Sequence, residues 1–272
     1  MRQWRLIYDL PAAGSWNMAV DEAILEAVGR AAQPPTLRLY AWRPACLSLG
    51  YGQPVAHVAH QNLAQFGWDL VRRPTGGRAI LHTDELTYSL ALPIDHELAA
   101  GSVLESYHRI SQALLLGLQL LGVQPTTAPP DTSPPADTGP VCFETPSPYE
   151  ITVAGRKLIG SAQVRRKTAI LQHGTLPLTG DLGRIVDALT FADEPRRESA
   201  RQQVRQRAIT LQQVLGLELD WSSVADAIRA AFVRTFAVNF SPTQVSLSDL
   251  EHTRARQLQS TLYADSAWTN RR

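Results

Sequence analysis

The stretch that most constrains the fold lies between Tyr149 and Leu178. Tyr149-Glu-Ile-Thr-Val153 alternates apolar and polar side chains, the period of a half-buried strand. Ala154-Gly155 follows as a turn, Lys157-Leu-Ile-Gly160 starts the return strand, and Thr168-Ala-Ile-Leu171 begins another. Two strands joined by so short a turn form a hairpin, which pairs antiparallel. Just before it stands Cys142, one of only two cysteines in 272 residues. A hairpin of this kind can hold a lysine ammonium and a cysteine sulfur on one side of a pocket. A free thiol titrates near pH 8.5, roughly, and a nearby cation lowers that value and supplies thiolate. Thiolates attack thioesters and other activated acyl groups. The same residues allow a plainer reading, with Cys142 a small buried hydrophobe and Lys157 a solvated side chain.

Composition narrows the alternatives. With 26 basic and 25 acidic residues the net charge is +1, so no bulk attraction to nucleic acid is implied. A hydrophobic fraction of 44% supports a sizeable core. The length fits one domain spanning residues 1–272, with its core over about 33–245. The few cysteines, and a start at Met1-Arg-Gln-Trp-Arg5 without a signal-like apolar stretch, lead to the expectation of a reducing, cytoplasmic setting. No run has the length of a membrane span, and no metal-ligand cluster is visible.

Along the chain, Trp4 to Leu10 reads as a strand. Pro11 to Gly14 turns it, and Ser15 is placed to cap a helix from Trp16 to Arg30. Asp21 and Glu22 then read as partners of the helix dipole. Thr36 to Trp42 and Leu47 to Gly50 read as strands, with Cys46 as packing. Val55 to Phe66 is predicted helical, and Asp69 to Arg73 is a strand end. Within Arg72-Arg-Pro-Thr-Gly-Gly-Arg-Ala-Ile-Leu-His82, the pair Gly76-Gly77 lets a ligand approach backbone N–H groups, or simply makes a tight turn. Arg73 and Arg78 flank that pair with charge. His82 either lines a pocket or is a structural histidine. Glu85 to Leu92 is a strand. Ser102-Val-Leu-Glu105 is a capping box, opening a helix with Tyr107, Ile110, Leu114 and Leu118 on one face. Pro125 to Pro140 is a Pro-rich loop, either a lid or an insertion. Helices are expected over Gly180–Leu189, Pro195–Ala208, Leu211–Leu215, Trp221–Phe236 and Leu247–Tyr263. The arginines of Arg165-Arg166-Lys167 and of Arg196 to Arg207 are a solvated face or a docking face for an acidic partner.

Three motifs carry a resemblance: Cys142-Phe-x-x-x-Ser-x-Tyr-Glu, Gly155-Arg-Lys-Leu-Ile-Gly-Ser-Ala-Gln163, and Gln172-His-Gly-Thr175. Together they resemble the lipoate–protein ligase/octanoyltransferase superfamily, in particular the Gram-positive-type octanoyltransferases that load the glycine cleavage H protein. The likeness extends over nearly the whole chain, including Asn17 to Glu22, Trp42 to Gly50 and Tyr263 to Trp268. It implies an α/β (α+β) fold like the biotin/lipoate protein ligase catalytic domain, a mixed, largely antiparallel sheet flanked by helices. It further implies an acyltransferase that moves octanoyl from octanoyl-acyl carrier protein to a lysine of a lipoyl-domain protein. On this resemblance Cys142 carries the acyl thioester, and Lys157 lowers its pKa and contacts the acyl carbonyl. The substrate-binding set implied is Arg73, Gly76, Gly77, Arg78, His82, Tyr149, Gly160, Ser161, Ala162, Gln163 and His173. Neither metal nor cofactor is expected, nor a nucleic-acid or membrane partner, and a monomer is expected. Related ATP-dependent ligases carry an Asn-Asp pair in place of the cysteine motif and a third glycine where this chain has Arg78. An ATP-dependent lipoate ligase and an amidotransferase between two lipoyl domains stay as alternatives.

Overall fold

The computed structural model describes residues 2–127, 150–243 and 245–272. Its strands are β1 (Arg2–Tyr8), β2 (Thr36–Tyr40), β3 (Cys46–Leu49), β4 (Asp69–Arg72), β5 (Ile80–His82), β6 (Glu85–Pro93), β7 (Thr126–Thr127), β8 (Ile151–Val153), β9 (Arg156–Arg165), β10 (Ala169–Pro177) and β11 (Val238–Phe240). The helices are α1 (Gly14–Gly29), α2 (His60–Phe66), α3 (Val103–Leu120), α4 (Glu194–Arg207), α5 (Leu211–Leu215), α6 (Trp221–Phe236), α7 (Asp249–Leu258) and α8 (Ser266–Thr269). Among the described residues the larger sheet runs β11-β1-β2-β6-β10-β9-β8-β7, and β4-β3-β5 form a second. Only β11–β1 and β1–β2 pair parallel in the larger sheet, so it is mixed and largely antiparallel.

Strand parity sorts the two faces of this sheet. On β2, Leu37 and Leu39 point toward α3 and α6, packing with Ile110, Leu114 and Phe232. The alternate residue Tyr40 belongs to the other face, with Met18, Ile24 and Val28 of α1 and with Ala255 and Leu258 of α7. On β6, Leu86, Tyr88, Leu90 and Leu92 share the first face. Glu85, Thr87 and Ser89 are buried too, and their parity turns them to the α1 side. A sheet covered on both faces explains why β2 is buried at every position. Arg5 donates to both carboxylate oxygens of Glu251, at 2.7 and 2.5 Å, tying β1 to α7.

The hairpin forms where the alternation places it. Ala154 and Gly155 both have positive φ, 49° and 75°, as a two-residue hairpin turn of the tight right-twisting kind requires. The β8–β9 register shifts between Ile151 and Thr152, a bulge of the sort that re-aims a neighbouring side chain.

Several expectations are corrected. Helix α1 begins at Gly14 with Ala13 at the N-cap and no side-chain cap, so Ser15 lies inside it. Asp21 sits in the middle of that helix and is fully buried, not at its dipole end. Val55–Phe66 divides into a 3-10 turn, Val55–His57, and α2, and the Gly180–Leu189 segment is a 3-10 helix over Leu182–Ala188. The Pro-rich loop is not wholly irregular: Thr126 and Thr127 pair with β8 as an edge strand, where few backbone groups need partners. Residues 128–140 of that loop lie outside the described residues, as do Cys142 and Tyr149. Among the described residues no helix is long and apolar enough to cross a membrane.

Candidate active site

A pocket opens between β10, β9 and the loop leading to β5. Met18, Tyr40, Trp42, Ile80 and Ala162 supply apolar wall. Of the predicted binding set, Arg73, Gly77, His82, Gly160, Ser161, Ala162 and His173 line it. Gly76, Arg78 and Gln163 do not. Gln163 instead donates to Ser106 of α3 and to Gln172, at 3.1 and 3.0 Å. Sequence reasoning missed Met18, Tyr40, Ser48, Thr87 and Glu150, which also line the pocket. For Tyr40, Ser48 and Thr87 the signal was strand parity, which needs the register of each strand against its neighbours; Met18 comes from α1 and Glu150 from the residue before β8.

Lys157 is buried beside this pocket, 5% exposed, which rules out the solvated reading. Its Nζ donates to Glu150 Oε1 at 2.5 Å, and Glu150 is 3% exposed. The Ile209 backbone N–H donates to the Lys157 carbonyl at 3.0 Å, so the segment after α4 pins this strand from outside. The ammonium lies across Gly160: a Cβ there would stand 2.6 Å from Lys157 Cε and 2.9 Å from Nζ. Gly160→Ala is therefore expected to push the lysine aside. Any activity that depends on the lysine's placement should fall about 10–100-fold, the scale of an ångström-level misplacement. A steady-state assay beside a thermal melt checks this. An unchanged rate in a well-folded variant would show that the lysine's position is not critical.

The Gly-Gly loop is built from within. Gly77 has φ +92°, and a Cβ on Gly50 would stand 1.9 Å from the Gly77 carbonyl oxygen, so the two segments touch through backbone alone. Arg73, 3% exposed, donates to the carbonyls of Ser48, Gly76 and Arg78 at 3.0, 2.9 and 2.7 Å. Much of its guanidinium thus serves loop shape rather than a substrate.

Both pocket histidines belong to hydrogen-bonded chains. His82 bonds Glu85 through Nδ1 and Ser48 through Nε2, each at 2.7 Å, while its ring stacks on Trp42 with centroids 3.9 Å apart. His173 bonds Thr75 through Nε2 at 2.7 Å and reaches Asp21 through Nδ1 at 3.4 Å. Asp21 also accepts from Arg38 and Ser89 at 2.8 Å and from Tyr40 at 3.0 Å. Burial pushes the Asp21 carboxyl up, but the His173 hydrogen bond and the Arg38 charge outweigh it and hold it below the usual range. His173 lies below the usual imidazole range because burial disfavours its charged form more than Asp21 favours it.

That shift has a pH consequence. The folded state keeps His173 neutral, whereas the unfolded chain takes up a proton below about pH 6.5. The stability it contributes is present above that pH and is lost as pH falls toward the folded value. His96, lowered by burial as well, acts in the same direction. The melting temperature should drop between pH 7 and pH 5, and His173→Gln should flatten part of that slope. A variant with the wild-type slope would remove His173 from the account.

The arginine runs are largely engaged within the protein. Arg165 donates to the carbonyls of Gly101 and Ser102, and Arg166 pairs with Glu22. Arg197, Arg201 and Arg205 pair with Glu194, Asp187 and Asp181. These pairings favour a solvated, self-paired face over a docking face.

Residues 13–233 match the lipoyl protein ligase A/B catalytic domain. The chain is 39% identical over 269 residues to an octanoyltransferase LipM of Carboxydothermus hydrogenoformans, covering 98% of each. It is 33% identical to that of Bacillus subtilis, covering 99% of this chain and 98% of the relative. Among solved structures, one from a Thermoplasma acidophilum lipoylation system, a bi-partite lipoate protein ligase and its E2 lipoyl domain, aligns with a TM-score of 0.81 at 22% identity, covering 99% and 97%. A lipoate-protein ligase A bound with ATP aligns with a TM-score of 0.80 at 22% identity, covering 99% of both chains. Such structural likeness speaks for the fold alone. The sequence matches reach further, spanning the buried lysine hairpin, the glycine loop and the sheet that joins them, and by them this chain belongs to the lipoyl protein ligase A/B catalytic-domain family.

Proposed function

We propose that this chain is an octanoyltransferase, moving octanoyl from octanoyl-acyl carrier protein to a lysine of a lipoyl-domain protein, with the glycine cleavage H protein as acceptor. Cys142 attacks the donor thioester as thiolate, the carrier's thiol leaves, and octanoyl stays on the enzyme as a new thioester. The acceptor amine then attacks that carbonyl and expels the Cys142 thiolate. The observation that carries this reading is the Lys157 ammonium, buried against Gly160 at the edge of a largely apolar pocket. Glu150 pairs with this buried cation, and the pair stands beside a pocket whose wall includes Met18, Tyr40, Trp42, Ile80 and Ala162. Full-length similarity to octanoyltransferases supports the same reaction. The donor is already activated, so the reading needs no nucleotide.

The test is intact mass after incubation with octanoyl-acyl carrier protein. The protein should gain one octanoyl group, and hydroxylamine should remove it. Transfer that requires ATP and free octanoate, with no adduct from the carrier, would favour a ligase instead.

A further inference from the structure

Glu150 has two different oxygens. Oε1 accepts from Lys157 at 2.5 Å. Oε2 is buried and, among the described residues, has no hydrogen-bond partner. The residue lines the pocket while being only 3% exposed. An unsatisfied buried acceptor is costly, and more so when it carries charge. An oxygen kept in that condition at a substrate pocket is suited to a donor that arrives with the substrate.

The reaction proposed above brings such a donor and needs such an acceptor, and the inference rests on that reading. A lysine amine titrates near pH 10.4, so only about one molecule in a thousand is neutral and nucleophilic near pH 7.4. Some group must take its proton. Neither pocket imidazole is idle: His173 is bonded to Thr75 and Asp21, and His82 to Ser48 and Glu85. Lys157 stands as an ammonium against Glu150. An arriving second ammonium would place two cations beside one carboxylate in a desolvated site. Passing one proton to the carboxylate ends the repulsion between the two cations, and the site becomes neutral once that proton goes on to solvent.

We propose that Glu150 is the base that takes the acceptor lysine's proton while it holds Lys157 in place. The step balances. One N–H proton moves to Glu150 Oε2, and the amine forms the C–N bond. The C–S electron pair leaves on sulfur, and the second N–H proton ends on the released thiol. Glu150 then returns its proton to solvent.

The test separates the half-reactions in Glu150→Gln, which keeps the shape and removes the base. Octanoyl uptake from the carrier should persist. Release to the lysine acceptor at pH 7 should fall about 100-fold or more, the scale of a lost general base. Release to hydroxylamine, whose amine is already neutral at pH 7, should change less than about threefold. The deficit with lysine should narrow about tenfold per pH unit as the acceptor deprotonates by itself. Glu150→Asp, which keeps a carboxylate further back, should lose about tenfold in the same lysine-to-hydroxylamine ratio, and that ratio serves if Glu150→Gln does not fold. Equal slowing of lysine and hydroxylamine release would reduce Glu150 to a structural role and overturn the proposal. So would unimpaired lysine release. A wild-type protein that never takes up octanoyl would overturn the parent reading, and this one with it.

Discussion

Cys142→Ser is expected to form no hydroxylamine-labile acyl-enzyme and to lose transfer by about 10³-fold or more, since removing a covalent nucleophile takes the main reaction path with it. Cys46→Ser should retain most of the activity. Cys46 is fully buried in β3, and burial, with the Asp69 and Glu85 carboxylates nearby, pushes its thiol well above the usual range. Such a thiol supplies almost no thiolate at neutral pH. Its replacement disturbs packing, not chemistry. Intact mass on both variants decides the matter. A dead but folded Cys46 variant beside an active Cys142 variant would reverse the assignment. The Cys46 variant also leaves Cys142 as the sole thiol, so iodoacetamide then reports on Cys142 alone. The Lys157–Glu150 pair refines what that probe should read. A buried cation already paired with a carboxylate raises the local potential less than a lone one. Lys157→Ala should therefore slow alkylation at neutral pH, and Glu150→Gln, which removes that carboxylate's charge, should speed it. If neither variant moves the alkylation profile, the pair does not tune the thiol.

Asp21→Ala should cost about 3–5 kcal/mol of stability as the broken half of a buried ion pair. The carboxylate is fully buried and accepts from Arg38, Ser89, Tyr40 and His173. Its loss leaves Arg38, also fully buried, with Asp9 as its remaining carboxylate, on the rim at 29% exposure. It also leaves Ser89 and Tyr40 with donors aimed at a void. For a chain of this size, a melting temperature lowered by roughly 6–20 °C follows. Asp21→Asn keeps the volume and one acceptor and should lose less. Denaturant melts of both variants test this. A loss under about 1 kcal/mol for the alanine variant would mean that water or a rearranged Arg38 replaces the carboxylate. Because His173 lines the pocket, the folded fraction of Asp21→Ala should also transfer octanoyl more slowly, as its ring loses the carboxylate that orients it.

Much of the architecture is local in origin and was legible without coordinates. The alternation of Tyr149 to Val153 and the Ala154-Gly155 turn are properties of a few neighbouring residues, and they yield β8, the turn and the start of β9. The Ser102–Glu105 capping box and the apolar face from Tyr107 to Leu118 yield α3, whose reciprocal cap is present. The motif order of cysteine, then Gly-Arg-Lys, then Gln-His-Gly placed the chain in its family, because it holds whatever the fold does with it. Elements with weaker local signals were misplaced at their edges: α1 has no side-chain cap to mark its start, and the Gly180–Leu189 segment winds as a 3-10 helix. The charged interior belonged to tertiary structure alone. Asp21 and His173 stand 152 positions apart; the helical period sets Asp21 on the face of Met18, Ile24, Leu25 and Val28, but it names no partner for a carboxylate there. Asp21 is buried because β2, β6 and β10 pair in one register, which turns Arg38, Ser89 and His173 to the face that α1 covers. Glu150 likewise read as the polar half of a strand alternation, until the bulge in the β8–β9 pairing and the bare backbone of Gly160 brought Lys157 against it. Periods of two and 3.6 residues decide which side of its own element a residue occupies. Which partner waits on that side depends on strand register, and register is decided by the burial of the whole sheet at once.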